Sequence, residues 1–162
     1  MGAGKSTIGR LLARELGRTF IDTDEEIERR TGTTIPIIFD IEGESGFRLR
    51  EKKVISELSR QRDLVVATGG GAVLEQENRA NLAKGGVVVY LRTSIEKQLR
   101  RTRRSQNRPL LDTPDKEARL QKLAEERSPL YESIAEITVD SDNGKAVLVT
   151  REIIDRLEQG HA

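Results

Sequence analysis

A glycine-rich stretch at the start of the sequence, GAGKST, contains the first residues whose types and spacing could do chemistry. Gly2 and Gly4 allow successive backbone N–H groups to surround phosphate oxygens. Lys5 would then reach the β- and γ-phosphates, and the Ser6 hydroxyl would meet Mg²⁺. The first glycine of the full G-x-x-x-x-G-K-[ST] pattern would fall before Met1, so an ordinary glycine-rich N-terminus stays an alternative.

Two carboxylates, Asp22 and Asp24, come at the end of the next predicted strand. Side chains two positions apart on an extended chain point the same way. Both carboxylates can therefore face the crevice at the carboxyl edge of a sheet, where α/β folds bind ligands. A metal and an acceptor hydroxyl would lie there. The alternative is that the aspartates cap a helix, since Asp24 precedes the helical run EEIERR.

Three consecutive glycines, Gly69, Gly70 and Gly71, follow an apolar segment at residues 64–68. One glycine would be enough for a plain turn, so three favour close approach of the backbone to a ligand. Two isolated basic residues, Arg48 and Arg127, have no motif of their own at this stage. Such residues usually lie in water.

The segment RRTRRSQNRPLLDTPD, residues 100–115, contains five arginines and two prolines between two predicted helices. We interpret it as a mobile surface segment. It could be a solvated loop or a nucleic-acid-binding patch, although the few aromatic residues disfavour base stacking. Beside a phosphate loop, a third interpretation is a lid whose arginines close over the phosphates of a nucleotide.

The composition of the 162-residue chain limits the classes of function. This length suits one domain with a buried core. The 28 basic and 27 acidic residues nearly cancel, so nucleic acid and membranes are not expected as partners. The sequence has no cysteine, which excludes disulfides and thiolate metal sites, and no apolar run of membrane-spanning length. We expect a soluble, cytoplasmic protein.

Apolar periodicity predicts strands that alternate with helices, the pattern of an α/β protein with a parallel sheet. The predicted strands cover residues 19–22, 64–68, 87–91 and 137–139. The predicted helices cover residues 5–16, 25–30, 35–41, 44–60, 75–83, 94–103, 116–127 and 146–158.

Six segments, taken in order, resemble the shikimate kinase family: GAGKST, FIDTDEEIERRTG, IFDIEGESGFR, TGGGAV, NRPLL and ERSPLY. The resemblance extends over residues 1–157. It implies transfer of the γ-phosphate of ATP to the 3-hydroxyl of shikimate, on the route to chorismate and aromatic amino acids. It also implies one P-loop domain with a three-layer α/β/α fold and a central parallel sheet, similar to nucleoside monophosphate kinases. A mobile lid would cover approximately residues 100–115.

The resemblance also implies roles for individual residues. ATP would be bound by Gly2, Ala3, Gly4, Lys5, Ser6, Thr7, Arg101 and Arg108. Shikimate would be bound by Asp24, Arg48, Gly69, Gly70, Gly71, Arg127, Phe39 and Phe47, of which the two phenylalanines could equally belong to the core. Mg²⁺ would be held by Ser6 and, through water, by Asp22. Lys5, Asp24 and Arg108 would be the catalytic residues.

The start of the sequence departs from this family pattern, because no strand precedes the phosphate loop. We expect the natural product to begin about ten residues upstream, the length of one strand and a loop. Two other functions stay open: a related small-molecule kinase such as gluconate kinase, and a nucleotide-binding remnant without catalysis. We expect a monomer, since no heptad pattern or apolar surface stripe indicates association.

Overall fold

Helices and short strands alternate along the computed structural model, which describes residues 2–102, 113–142 and 144–160. The observed elements confirm the α/β pattern expected from the sequence. The strands are β1 (Thr19–Asp22), β2 (Leu64–Ala67), β3 (Val89–Arg92) and β4 (Ile137–Asp140). The helices are α1 (Lys5–Glu15), α2 (Thr23–Thr31), α3 (Ile35–Leu58), α4 (Gln76–Gly85), α5 (Ile95–Thr102), α6 (Lys116–Ile134) and α7 (Ala146–Gln159), with a 3₁₀ turn at Ala72–Leu74.

The strands are parallel, as predicted, and within the described ranges they form two separate pairs. Strand β1 pairs with β2, and β3 pairs with β4. An apolar cavity of about 670 Å³ lies between the pairs and is lined by side chains of β2, β3, α1 and α7. The expected strand before the phosphate loop is not tested by these residues and stays a prediction.

The register of the first pair determines where the candidate site residues meet. Asp22 at the end of β1 is opposite Ala67 at the end of β2. The two strands therefore finish at the same edge, and the chain continues from them into α2 and into the glycine run. This edge corresponds to the carboxyl edge at which parallel α/β sheets bind ligands.

Two apolar clusters hold the strand pairs against the helices. In one, α1 and α7 pack on the β3–β4 pair through residues that include Ile8, Val139 and Ile153. In the other, α2 and α3 pack on the β1–β2 pair through residues that include Ile27 and Phe47. Burial of each such side chain stabilises the fold by about 1.5–3 kcal/mol and fixes the helices that hold the site.

Helix α3 contains both helices predicted at residues 35–41 and 44–60. Gly43 lies between the predicted segments with φ of 71° and ψ of 179°, which interrupts the regular helix. A left-handed φ of this kind favours glycine, because a side chain would be strained there. The break in apolar periodicity therefore corresponds to a kink within one element.

The end predicted for helix α6 is wrong, because the helix continues past Arg127 to Ile134 and contains Pro129. Residues three and four apart share a helix face, so the side that buries Leu123 and Arg127 also carries Tyr131. Packing of this side outweighs the hydrogen bond that the proline removes. Arg127 and Tyr131 consequently lie one turn apart on a continuous helix.

The surface of the described part carries apolar side chains on two helices. Ile37, Ile41 and Leu49 are exposed on α3, and Val147 and Leu148 are exposed on α7. Among the residues placed by the structure, no helix combines the length and apolar character needed to cross a membrane.

Candidate active site

The glycine-rich loop leads directly into helix α1. Gly2 has φ of 70° and Gly4, the N-cap of the helix, has φ of 87°, both in the left-handed region that glycine adopts most readily. The first turn of a helix has N–H groups without intrahelical partners, and Lys5 and Ser6 lie in that turn. The loop therefore has a backbone conformation and a helix dipole that favour an anion, and phosphate binding stays a prediction.

Ser6 and Asp22 are joined across the edge of the fold. The Ser6 hydroxyl donates a 2.7 Å hydrogen bond to Asp22 Oδ2. The other carboxylate oxygen, Oδ1, accepts from the backbone N–H of Asp24 at 3.0 Å, which makes Asp22 the N-cap of α2. A hydroxyl and a carboxylate beside a phosphate loop are oxygen donors of the kind that Mg²⁺ prefers.

Asp22 and Asp24 both lie at the carboxyl edge of the β1–β2 pair, but the chain between them is not extended. Asp22 is the N-cap of α2, which begins at Thr23, so Asp24 lies in the first turn of the helix and not on an extended strand as the sequence predicted. Asp24 instead faces the glycine run, where a Cβ built at Gly69 would lie 3.0 Å from its Oδ1. The two carboxylates therefore serve two neighbouring regions, one at the phosphate loop and one at the glycines.

Arg48 and Glu51 form an ion pair on one side of α3. Arg48 Nη1 donates to Glu51 Oε2 at 2.6 Å, and Nη2 donates to Glu44 Oε1 at 3.0 Å. The Arg48 side chain is only 12% exposed, and that of Glu51 is fully buried. Arg48 is therefore a held, largely dehydrated cation, and the sequence-based expectation that such a residue lies in water does not apply to it.

Sequence reasoning missed Glu51. Its second oxygen, Oε1, is buried without a hydrogen-bond partner in the described part of the chain and lies 2.7 Å from a Cβ built at Gly69. Burial raises the pKa of Glu51 from 4.5 to about 7, against the opposing charge of Arg48. A signal for it was present: Glu51 interrupts the buried stripe of α3 formed by Phe47, Val54, Ile55 and Leu58.

The glycine run is required for space. Gly71 has φ of −89°, an ordinary value, yet a Cβ there would lie 2.2 Å from Arg48 Nη2. Gly69 is held by its N–H, which donates to the buried Thr23 hydroxyl at 3.2 Å. The missing side chains at Gly69 and Gly71 thus leave room for the Glu51 and Arg48 side chains beside the backbone.

Arg127 of helix α6 is 4% exposed, and its Nε has no hydrogen-bond partner within the described ranges. It lines a cavity of about 330 Å³ together with Lys5, Gly69, Gly70 and Tyr131. A buried guanidinium with an unused donor beside a cavity is suited to bind an anion. The structure therefore brings Arg127, the glycine run and the phosphate loop together around one space.

The two phenylalanines differ in exposure. Their ring centroids lie 5.0 Å apart with the planes tilted by 41°. Phe47 is 5% exposed and belongs to the α2–α3 cluster, with Phe39 packed against it. The Arg48 guanidinium carbon also lies 5.3 Å from the centroid of Phe47. Phe47 is thus a core residue that supports Arg48, while the half-buried Phe39 extends toward the surface.

Arg101 lies beside the phosphate loop at the end of α5. Its guanidinium donates to the Gly2 carbonyl at 2.8 Å and to the Ser141 carbonyl at 3.4 Å. Arg108 and most of the predicted lid fall in residues 103–112, which lie outside the described residues. The roles of both arginines toward ATP stay predictions.

Comparison with known proteins identifies the family of the chain. The family model for shikimate kinase matches residues 1–158. Shikimate kinase 1 of Yersinia enterocolitica and that of Serratia proteamaculans are each 56% identical over 160 residues, which cover 98% of this chain and 92% of the relative.

Solved structures of shikimate kinases also match the chain. A shikimate kinase from Acinetobacter baumannii, in complex with shikimate, matches with a TM-score of 0.97 and 49% identity over 99% of this chain and 89% of that one. The shikimate kinase of Aquifex aeolicus matches with a TM-score of 0.86 and 37% identity over 99% of this chain and 94% of that one. Sequence and structure together establish that the chain belongs to the shikimate kinase family of ATP-dependent kinases.

Proposed function

We propose that the chain transfers the γ-phosphoryl group of ATP to the 3-hydroxyl of shikimate and releases ADP and shikimate 3-phosphate. As a member of its family, it is an ATP-dependent kinase that acts on shikimate. One observation carries the assignment of the site. The buried Arg127 lines one cavity with Gly69, Gly70 and Lys5 of the phosphate loop, and the dehydrated Arg48 lies against the adjoining Gly71.

Arg48 and Arg127 bind the carboxylate of shikimate in this proposal. A planar guanidinium can donate two parallel hydrogen bonds to a carboxylate, which lysine cannot do. The buried Nε of Arg127 has no partner among the described residues, and a bound carboxylate would supply one. Arg48 is already oriented by Glu44 and Glu51, so little side-chain entropy is lost on binding.

Asp24 orients the ring hydroxyls of the acceptor and is our candidate to take the proton of the attacking oxygen. Its carboxylate faces Gly69, while Gly70 and Gly71 present backbone groups to the substrate. Phe39 covers the apolar side of the ring, with Phe47 behind it.

ATP lies on the loop formed by Gly2, Ala3, Gly4, Lys5, Ser6 and Thr7. The paired Ser6 hydroxyl and Asp22 carboxylate fit Mg²⁺, with Ser6 as a direct ligand and Asp22 acting through water. Mg²⁺ would offset negative charge on the β- and γ-phosphates. Lys5 adds a positive charge at the same phosphates.

The arginines at and beyond the end of α5 complete the proposed ATP site. Arg101 lies against the adenine side of the nucleotide, and Arg108 reaches the transferring phosphoryl group. Residues 100–115 would act as a lid that excludes water as a competing acceptor. The chain acts as a cytoplasmic monomer in this proposal, and light scattering of the purified protein tests its molecular mass.

Analysis of the reaction product tests the regiochemistry. The chain is incubated with Mg-ATP and shikimate, and the product is examined by proton–phosphorus correlation NMR. We expect the phosphorus to couple to the proton on carbon 3 of the ring. Coupling to another ring proton, or the absence of a phosphorylated product, would contradict the proposal. Arg127→Lys is the matched variant, which should raise the KM for shikimate and leave the KM for ATP unchanged.

A further inference from the structure

Tyr131 connects helix α6 to the glycine run. Its hydroxyl donates a hydrogen bond to the Gly70 carbonyl, 61 residues away in the sequence. Its ring packs on Tyr90 of β3, with the ring centroids 5.0 Å apart and the planes inclined by 31°. We propose that Tyr131 is a positioning residue, which holds the Gly70–Gly71 peptide in the orientation that the acceptor pocket needs. This inference rests on the function proposed above.

The hydrogen bonds of the glycine run show why this contact matters. The Gly69 N–H is bound by Thr23, and the Gly69 carbonyl accepts from the N–H of Ala72 at 3.1 Å. The Gly71 carbonyl accepts from the N–H of Leu74 at 3.0 Å. The Gly70 carbonyl accepts from the Tyr131 hydroxyl. The run is therefore fixed by α2 at one end and by α6 in its middle.

Fixing the Gly70 carbonyl also fixes the next N–H. The described part of the chain has no cis peptide bond, and in a trans peptide the carbonyl and the following N–H point in opposite directions. The hydrogen bond from Tyr131 thus directs the N–H of Gly71 away from α6. Glycine has no side chain to hold this peptide plane, so an external donor is needed to select one orientation.

The same peptide lies against one arginine of the proposed carboxylate site, and Tyr131 links it to the helix that carries the other. Gly71 lies against the Arg48 guanidinium, since a Cβ there would be 2.2 Å from Nη2. Arg127 lies one turn before Tyr131 on α6, and its charge acts on the Tyr131 hydroxyl. Burial, opposed by this charge, raises the pKa of Tyr131 above 10.0, so the hydroxyl keeps its proton and stays a donor near neutral pH.

A positioning role and a merely structural role predict different kinetics. Phosphoryl transfer needs the acceptor oxygen in line, and a misplacement of about 1 Å can lower the rate about 100-fold. Loss of the Tyr131 hydroxyl would free the Gly70–Gly71 peptide and affect the acceptor only. A general loss of stability would instead lower the melting temperature and weaken the use of both substrates together.

The test compares Tyr131→Phe with Tyr90→Phe in the 162-residue chain. Both variants lose one hydroxyl and keep the ring pair. The Tyr90 hydroxyl makes no hydrogen bond to the residues that the structure describes. We expect Tyr131→Phe to lower kcat/KM for shikimate about tenfold or more, with the KM for ATP within about twofold of the parent. Tyr90→Phe should match the parent in both values, and both variants should melt within a few degrees of it.

The outcomes separate this inference from the proposed function. If the parent does not phosphorylate shikimate, the proposed function is wrong and the inference falls with it. If the parent is active and Tyr131→Phe has the same kcat/KM for shikimate as Tyr90→Phe, only the inference is overturned. If Tyr131→Phe lowers kcat/KM equally for shikimate and for ATP and also lowers the melting temperature strongly, the inference is overturned as well. That pattern would indicate a structural role.

Discussion

The Ser6 hydroxyl lies 2.7 Å from Asp22 Oδ2, a contact that spans 16 residues of sequence and joins the phosphate loop to the end of β1. The other oxygen of Asp22 caps α2 through the N–H of Asp24. One carboxylate thus links the loop to the helix that carries the proposed acceptor-binding aspartate. The nucleotide side and the acceptor side of the site are consequently held in one arrangement.

Asp22→Asn should impair the use of Mg²⁺ without loss of stability. Asparagine can accept from the N–H of Asp24 and donate to the Ser6 hydroxyl, so both hydrogen bonds survive while the charge is lost. We expect the Mg²⁺ concentration for half-maximal rate to rise, or kcat to fall, by about 10- to 100-fold. A Mg²⁺ titration at saturating ATP and shikimate measures this effect. Asp40→Asn, at an exposed position on α3, is the control. An unchanged Mg²⁺ dependence would show that Asp22 does not take part in binding the metal.

Glu51→Gln should change how stability depends on pH. The pKa of Glu51 is raised from 4.5 to about 7, mainly by burial. Between these pH values the unfolded chain has lost the proton and the folded chain has kept it. The stability contributed by the protonated form is therefore fully present below pH 4.5 and lost as pH rises through about 7. The free energy of unfolding of the parent, relative to that of Glu51→Gln, should fall by about 1–3 kcal/mol over this window.

Urea unfolding of the parent and of each variant at a series of pH values measures this difference in free energy of unfolding. Glu158→Gln, at an exposed position on α7, is the control and should differ from the parent by a constant amount. Parallel stability profiles for the parent and Glu51→Gln would show that Glu51 titrates at an ordinary pKa. The assigned environment between Arg48, Asp24 and Arg127 would then be incorrect.

Gly71→Ala should weaken acceptor use through steric displacement. The backbone at Gly71 suits alanine, but the new Cβ would lie 2.2 Å from Arg48 Nη2 and would move the guanidinium. We expect kcat/KM for shikimate to fall at least about tenfold, with the KM for ATP unchanged. Steady-state kinetics with each substrate varied in turn gives both values. Gly144→Ala is the matched control, since its Cβ would meet Leu148 at an ordinary 3.5 Å. A kcat/KM for Gly71→Ala within twofold of the control would show that Arg48 does not need its present position.

Arg108→Ala should lower turnover by about 100-fold or more, with a modest loss of ATP binding. The reason is that the proposed role of Arg108 is to offset charge that develops on the transferring phosphoryl group. Rapid-quench kinetics measures the transfer step, and titration calorimetry with ATP measures binding. Arg108→Lys keeps the positive charge but lacks the planar guanidinium, so its turnover rate should lie between those of the parent and Arg108→Ala. An unchanged turnover rate for Arg108→Ala would refute the assignment.

The sequence predicted local elements well. The strand at residues 19–22 was predicted with the bounds observed, because β-branched and aromatic residues precede the paired aspartates. Helix α6 was predicted too short, since a proline usually ends a helix, and only the packing of its buried side shows why the helix continues.

The candidate site was predicted in part. The phosphate loop follows from glycine, lysine and serine at fixed spacing, so its geometry could be expected. The separate neighbours of Asp22 and Asp24 could not be predicted, because they depend on where α2 begins. Tyr131 lay within the motif ERSPLY, but its hydrogen bond to Gly70 joins elements 61 residues apart, and such contacts leave no local pattern.

The most direct test of the proposed shikimate kinase activity is the release of ADP from Mg-ATP by the 162-residue chain. The acceptors are shikimate, gluconate and a nucleoside monophosphate, each at the same concentration. We predict ADP release that depends on shikimate and exceeds the rate with each other acceptor by at least about 100-fold. ADP release that shikimate does not increase, or equal use of gluconate or the nucleotide, would contradict the proposed function.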